Sequence, residues 1–481
     1  MELQKDKKID TVVFDVGSTY TKVSAFALED GEYCWLDRAQ APTTVEDIDQ
    51  GLTQAVSNLA KKLGIEKVGA REVLSTSSAA GGLRMVAMGY MPRVTAKAAK
   101  EVAMNAGARV LEVMSFEDPP ENKREMLCEI RPDIILLAGG TDGGDKDSML
   151  ADAGIIKNSG VKSTVVIARN TDGQSEVEEL LTAAGIQTLR VANVMPNIHT
   201  LNVKPAREAI HEQFIRQITK SKGLNKLLDR LTVNKVVPTP GAVLMATELL
   251  AKGTPEKEGC GSLLVIDIGG ATTDIHSVLP HLDKLAIEER GLVLTNEKQS
   301  AYRTVEGNLG LRVSARGIVE VVGEKAITSR LGLNGETNEQ ALIHYAAHLE
   351  SNPGYLASTN QERLFDKGLA CAAIEVALKR HAGYIAQQFD PIMGIAPGTP
   401  MGRDLRTVET VIAVGGIFAH LSETEARDIV SMALERPGIS LLPNQPKIII
   451  DRNYALYAVG LLSQLRSTAA LKFANKYFGL F

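Results

Sequence analysis

One short pattern occurs twice in this chain, and it restricts the fold more than any other feature. Leu263 to His276 reads Leu-Leu-Val-Ile-Asp-Ile-Gly-Gly-Ala-Thr-Thr-Asp-Ile-His, an apolar run ending in a carboxylate and then in two glycines and two threonines. Val12 to Lys22 reads Val-Val-Phe-Asp-Val-Gly-Ser-Thr-Tyr-Thr-Lys, so Asp15 matches Asp267, Gly17 matches Gly269 and Thr21 matches Thr273. Each copy reads as a buried strand that runs into a tight turn. Glycines let backbone N–H groups come close to anionic oxygens, and threonine hydroxyls can donate to them. A carboxylate beside such a turn needs a cation or a water between itself and a phosphate. A lone Gly-rich turn is weak ground for a ligand site. Two copies about half a chain apart predict two similar halves closing on one nucleotide.

The 481 residues exceed one core, so two to four domains are expected. Aromatic residues make up 4% and there are 42 glycines, which suits tightly packed α/β layers. A net charge of −5 speaks against a nucleic-acid binder. Cys34, Cys128, Cys260 and Cys371 form no Cys-x-x-Cys unit, which argues against a zinc site and fits a reduced, cytoplasmic protein. No apolar stretch suggests a signal peptide or a membrane span. Nothing in the sequence sets the oligomeric state, and a homo-oligomer stays open.

In chain order, Thr11–Val16 and Val23–Leu28 predict a hairpin, Val45–Gly64 a helix stopped by its glycine, and Val73–Ser78 a strand. Between about 95 and 235, apolar strands at Arg109–Met114, Asp133–Ala138, Thr164–Ala168 and Thr188–Ala192 alternate with helical segments, as in a parallel sheet. Pro205 to Leu231 reads as one long helix. The 138–144 loop is Gly-rich but lacks dinucleotide spacing. Pro238-Thr-Pro-Gly opens a helix of small residues, and Lys252 to Gly261 reads as a linker. Arg303 to Arg312 reads as a loop with Arg303, Glu306 and Arg312 exposed, and 314–380 as largely helical. Val411–Ile417 repeats the strand-then-Gly-Gly device, Ile448–Asp451 is a last strand, and Tyr454–Leu465 is a second small-residue helix. His199 and His276 read as structural histidines.

Phosphate turn, small-residue helix, phosphate turn, strand-Gly-Gly, small-residue helix: this order resembles the actin, sugar-kinase and heat-shock-70 ATPase superfamily. More narrowly, Ser77-Ser-Ala-Ala-Gly-Gly-Leu-Arg-Met, Leu137-Ala-Gly-Gly-Thr-Asp-Gly-Gly, Asn197 to Arg207, Pro238-Thr-Pro-Gly-Ala-Val-Leu and Arg303-Thr-Val-Glu-Gly-Asn-Leu-Gly resemble the MutL-type (GlmL-type) accessory proteins of glutamate mutase. The resemblance implies two actin-like (ribonuclease H-like) α/β ATPase domains: 1–94 plus 236–252, and 260–451. It also implies a Rossmann-like subdomain inserted at 95–235 and a C-terminal segment, 452–481, near the hinge.

By that resemblance the cofactors are ATP and Mg²⁺. Asp15 and Asp267 would hold the metal through water, and one of them would orient the attacking water. Gly17, Ser18, Thr19, Gly269, Gly270, Thr272 and Thr273 would bind phosphate. Gly415 and Gly416 would let adenosine lie against backbone, so Gly415→Val should block it and leave the fold intact. Lys22 could add positive charge, although a solvated strand-edge lysine is the plainer reading. The implied activity is ATP hydrolysis that drives reactivation of a coenzyme B12-dependent mutase, whose subunits are the expected partner. A small-molecule kinase of the same superfamily is the alternative, although no acceptor-site signature accompanies the clamp. The sequence offers neither the cysteine spacing of an iron–sulfur electron donor nor the Asp-x-His-x-x-Gly pattern of a base-off cobalamin domain.

Overall fold

A computed structural model describes residues 9–17, 20–43, 48–77, 83–90, 98–99, 102, 108–138, 140–197, 202–220, 236–284, 300–389 and 396–480. The chain divides into two compact units. The first comprises 1–43, 50–76 and 233–481, and the second comprises 44–49 and 77–232.

The first unit holds two five-stranded sheets with the same strand order. In one, the spatial order is Val236–Pro238, Glu72–Ser77, Thr11–Val16, Tyr20–Glu29, Glu32–Pro42. In the other it is Ala301–Glu306, Thr273–Val278, Leu263–Ile268, Thr410–Gly415, Lys447–Asp451. Counted along the chain, with the first sheet read from its Glu32–Pro42 edge, both read third, second, first, fourth, fifth. The first three strands of each sheet form an antiparallel meander. In the second sheet the fourth and fifth run parallel to the first. This is the duplicated α/β arrangement that the repeated turn predicts, and it fits the actin-like class that the resemblance implies.

The sheets meet over two helices of small residues, Thr239–Lys252 and Ala455–Leu465. One apolar cluster joins Val13 and Phe26 of the first sheet, Val265 and Ile412 of the second, and Ala246 and Ala458 of these helices. Their contact is backbone on backbone: a Cβ on Gly460 would lie 1.9 Å from the Ala242 carbonyl oxygen. Only glycine permits that approach. The C-terminal helix Ser467–Phe478 packs on the first sheet through Phe473, whose ring lies 5.4 Å from Phe26 and 6.1 Å from Trp35. The outer face of the second sheet is covered by helices that include Asn360–His381 and Glu423–Leu434. Both begin with a capping box, Thr359 with Glu362 and Ser422 with Glu425, a device worth about 1 kcal/mol each.

The second unit is an all-parallel sheet in the order Ala108–Met114, Leu83–Met88, Ile134–Ala138, Thr164–Ala168, Thr188–Arg190. Its four later strands are those expected. Leu83–Met88, which the sequence reading left within 1–94, is an inner strand of this sheet. The units divide at 76/77, at the last residue of the Glu72–Ser77 strand, so the next strand already belongs to the second unit.

Other expectations change in detail. The helix expected over Val45–Gly64 is described as Ile48–Leu63, with 45–47 outside the described residues, and Gly64 ends it with φ 70°. The helix expected over Pro205–Leu231 is described as Lys204–Lys220, and 221–235 lie outside the described residues. The expected linker at Lys252 contains a small hairpin, Gly253–Thr254 with Lys257–Glu258. Arg303 to Glu306 is strand, not an exposed loop. The Arg303 side chain is 8% exposed and paired with Asp274, and Arg312 pairs with Asp366 at 3.1 Å.

Candidate functional site

The two repeated turns are built alike. After the Thr11–Val16 strand, the Gly17 N–H donates to the Tyr20 carbonyl at 3.1 Å. After Leu263–Ile268, the Gly269 N–H donates to the Thr272 carbonyl at 2.8 Å. The closure requires glycine at the first turn and leaves a side chain little room at the second. A Cβ on Gly17 would lie 2.6 Å from the Tyr20 oxygen, and one on Gly269 would lie 3.2 Å from the Thr272 oxygen. Ser18 and Thr19 lie outside the described residues.

The second turn is braced from behind. The Gly269 carbonyl accepts from Leu311 N–H at 3.1 Å, and the Gly270 carbonyl from Arg312 and Val313, both at 2.8 Å. The Ala271 carbonyl accepts from Ser314 Oγ at 3.1 Å. Three successive carbonyls are thereby occupied. The N–H groups of Gly270, Ala271 and Thr272 have no acceptor among the described residues. A run of N–H groups without acceptors is an anion cradle. Thr273, by contrast, is buried, and its hydroxyl donates to the Leu309 carbonyl at 2.6 Å, so it pins the brace in place. Thr272 donates to Asp274 at 3.0 Å.

The carboxylates differ in a way their spacing does not reveal. Asp15 lies opposite Lys22 in the first hairpin, and Asp267 lies opposite Asp274 in the second. Asp15 is buried and satisfied: Lys22 Nζ is 2.9 Å from Oδ2, while Thr76 and Thr239 donate to Oδ1 at 2.9 and 2.7 Å. Lys22 is therefore not a solvated strand-edge lysine, as the plainer reading had it. Its side chain is 19% exposed, and its Nζ lies 4.0 Å from the centre of the Tyr454 ring. Burial alone would lower the Lys22 pKa, but the charge and hydrogen bond of Asp15, together with the neighbouring Tyr454 and Tyr457, outweigh it and hold the ammonium above its ordinary range.

Asp267 has no such partner among the described residues. Arg303, from the strand on the far side of Asp274's, is spent on Asp274, with Nε 2.8 Å from Oδ1. Burial first, and then the charges of Asp274 and Asp15, push the Asp267 carboxyl up to about 7 against partial relief from Lys22 and Arg303. The second half thus carries a partly accessible carboxylate in want of a cation, beside an N–H cradle in want of an anion.

The adenosine candidates sit at the end of the adjacent parallel strand. Gly415 ends that strand and Gly416 opens the short helix Gly416–His420. They are not equivalent. A Cβ on Gly415 would come within 2.3 Å of the Ile268 carbonyl oxygen, whereas one on Gly416 would meet only the Tyr454 hydroxyl, at 3.3 Å. The first glycine serves the sheet, so Gly415→Val would disturb the fold rather than leave it intact.

Thr76, Thr239 and Tyr454 belong to the site and were not read from the sequence. Thr239 stands in Pro238-Thr-Pro at the mouth of a helix, the one local sign available. His276 is buried against Arg303 with both ring nitrogens unpartnered among the described residues. Burial, then Arg303, holds it well below its ordinary pKa, as a neutral structural histidine. His199 lies outside the described residues. No group of three or more His, Cys, Asp or Glu among the described residues is arranged as a metal centre. No described helix is long and apolar enough to cross a membrane.

Among solved structures, a glycerol dehydratase reactivase is similar at 12% identity and TM-score 0.34, over 95% of this chain and 100% of that one. A gluconate kinase from Lactobacillus acidophilus is similar at 11% identity and TM-score 0.31, over 98% and 90%. Protein MutL of Clostridium tetanomorphum is 38% identical over 469 residues, 97% of this chain and 98% of that protein. A family model described as MutL protein matches residues 11–478. The chain belongs to the MutL protein family.

Proposed function

We propose that this protein is an ATP-hydrolysing accessory chaperone that reactivates a coenzyme B12-dependent mutase, glutamate mutase or a related carbon-skeleton mutase or aminomutase. The observation that carries the nucleotide half is the pairing of an unneutralised carboxylate, Asp267, with the open N–H edge of Gly270, Ala271 and Thr272. Those groups suit a metal-bound phosphate: the edge takes the anion and the carboxylate takes the cation through water. Mg²⁺, when bound, would supply charge neutralisation of the phosphates. Asp267 would hold that ion and orient water. Lys22 would present fixed positive charge from the opposite turn, its ammonium held in place by Asp15. Gly416 would leave room for adenosine. Phosphoryl transfer asks for little more than such positioning and neutralisation.

Family membership supports the partner half. A nucleotide shared by two sheets that meet over small-residue helices would bias the hinge between them. The test is a mutase stalled with inactive cobalamin, given fresh coenzyme, Mg²⁺ATP and this protein. Recovery of turnover that needs ATP, and that fails with Asp267→Asn, supports the proposal. Transfer of labelled phosphate to a small hydroxyl compound, with no effect on the mutase, would replace it with the kinase reading.

A further inference from the structure

Tyr454 stands between the two ends of the proposed nucleotide site. It is the residue before the Ala455–Leu465 helix and adopts a left-handed backbone, φ 56° and ψ 45°. That conformation is costly for a bulky side chain and cheap for glycine or asparagine. A strained residue held by its surroundings marks a place where function has been weighed against stability. The surroundings here do hold it. Asp451 accepts from the Leu456 N–H at 2.9 Å, and Arg38 of the first sheet donates to the Asn453 carbonyl at 3.0 Å.

The side chain faces both ways. Its ring covers the Lys22 ammonium at 4.0 Å. Its hydroxyl lies 3.3 Å from where a Gly416 Cβ would be, so it borders the space that this glycine leaves open. The hydroxyl makes no hydrogen bond to a described residue, and the side chain is partly exposed, so the hydroxyl is open to solvent or to a ligand. A phenol that is rigidly placed and unpartnered at one end, and set against a cation at the other, has a ligand-sized task.

We propose that Tyr454 is a positioning residue that couples the sugar end of a bound nucleotide to the phosphate end. Its hydroxyl hydrogen-bonds a ribose hydroxyl beside Gly416, and its ring keeps Lys22 against Asp15. The assignment rests on the nucleotide reading above and adds to it a residue that senses both ends at once. Affinity for tripolyphosphate then depends on the ring alone, whereas affinity for ATP depends on ring and hydroxyl together.

The experiment measures Mg²⁺-dependent binding of ATP and of tripolyphosphate by calorimetry, with steady-state hydrolysis, for wild type, Tyr454→Phe and Tyr454→Leu. Tyr454→Phe keeps the ring, so it should lose about tenfold in ATP affinity, one hydrogen bond's worth, while tripolyphosphate binding stays at the wild-type value. Tyr454→Leu should weaken both ligands and lower kcat as well. A purely structural tyrosine would move both ligands together in both variants. Unchanged ATP affinity in Tyr454→Phe, where wild type binds ATP, overturns this assignment alone. A wild type that binds neither ligand overturns the nucleotide reading and this assignment with it.

Discussion

Replacing Asp267 with asparagine should stabilise the ligand-free protein while removing its response to metal. Asp267 is held at about 7 against an ordinary 3.8. A carboxyl with a raised folded-state pKa opposes folding wherever the unfolded chain is ionised and the folded one must be also. The penalty is absent below about pH 4. It grows between the unfolded value near 3.8 and the folded value near 7, and stays constant above that. At about 1.4 kcal/mol per unit the ceiling is about 4 kcal/mol, and water reaching the partly accessible carboxyl lowers the expectation to ~2–4 kcal/mol. Asparagine keeps the shape and carries no charge, so Asp267→Asn should melt on the order of 5 °C above wild type at pH 8. At pH 4 the two should melt together. Mg²⁺ATP should raise the melting temperature of wild type strongly at pH 8 and weakly at pH 5, with little effect on the variant. Thermal melts over pH 4–9, with and without Mg²⁺ATP, read all of this. Equal melting of the two proteins at every pH, or an equal metal response, would refute the idea of an uncompensated carboxylate.

Three further outcomes follow from the same geometry. Gly416→Val should fold normally and lose ~100-fold in ATP affinity, whereas Gly415→Val, pressed on the Ile268 carbonyl, should express poorly or melt early; circular dichroism and calorimetry separate the two. Lys22→Met leaves Asp15 buried with hydroxyl partners only, so it should cost ~3 kcal/mol in stability and most of the hydrolysis rate, measured by denaturant unfolding and phosphate release. Gly460→Ala should force the two small-residue helices apart, lowering the melting temperature and weakening ATP-dependent reactivation together; unchanged values for both would show that the helix contact is not needed.

The turns were legible because each is a strictly local pattern: strand, carboxylate, glycine, within a handful of residues. The strand order was not visible in either copy, but duplication implied that whatever one half did, the other would repeat. Local pattern failed where a partner lies far along the chain. Lys22 looks like a solvated lysine until Asp15 and Tyr454 are placed beside it, 7 and 432 residues away in sequence. Arg303 sits in a polar run and reads as exposed, yet strand pairing turns it onto Asp274. Thr76 and Thr239 are ordinary hydroxyl residues until both are found on one carboxylate oxygen. The Ser-Ala-Gly run before Leu83–Met88 reads as a plain tight turn, so nothing local marks a change of sheet there.

The contact between Gly460 and the Ala242 carbonyl also bears on how this protein can move. Where side chains separate two helices, small shifts are absorbed by changes of rotamer, and motion is lost as it is made. Here backbone rests on backbone, and nothing at the crossing can be compressed or rearranged. Such a point acts as a fulcrum: the helices can tilt about it but cannot slide across it without parting. Ala242 lies near the start of the Thr239–Lys252 helix, with about 4.5 Å of helix on the Thr239 side and about 15 Å on the other, so a tilt of ~10° moves the Thr239 end by ~1 Å and the far end by ~3 Å. Thr239, at one end of that lever, holds the carboxylate of Asp15.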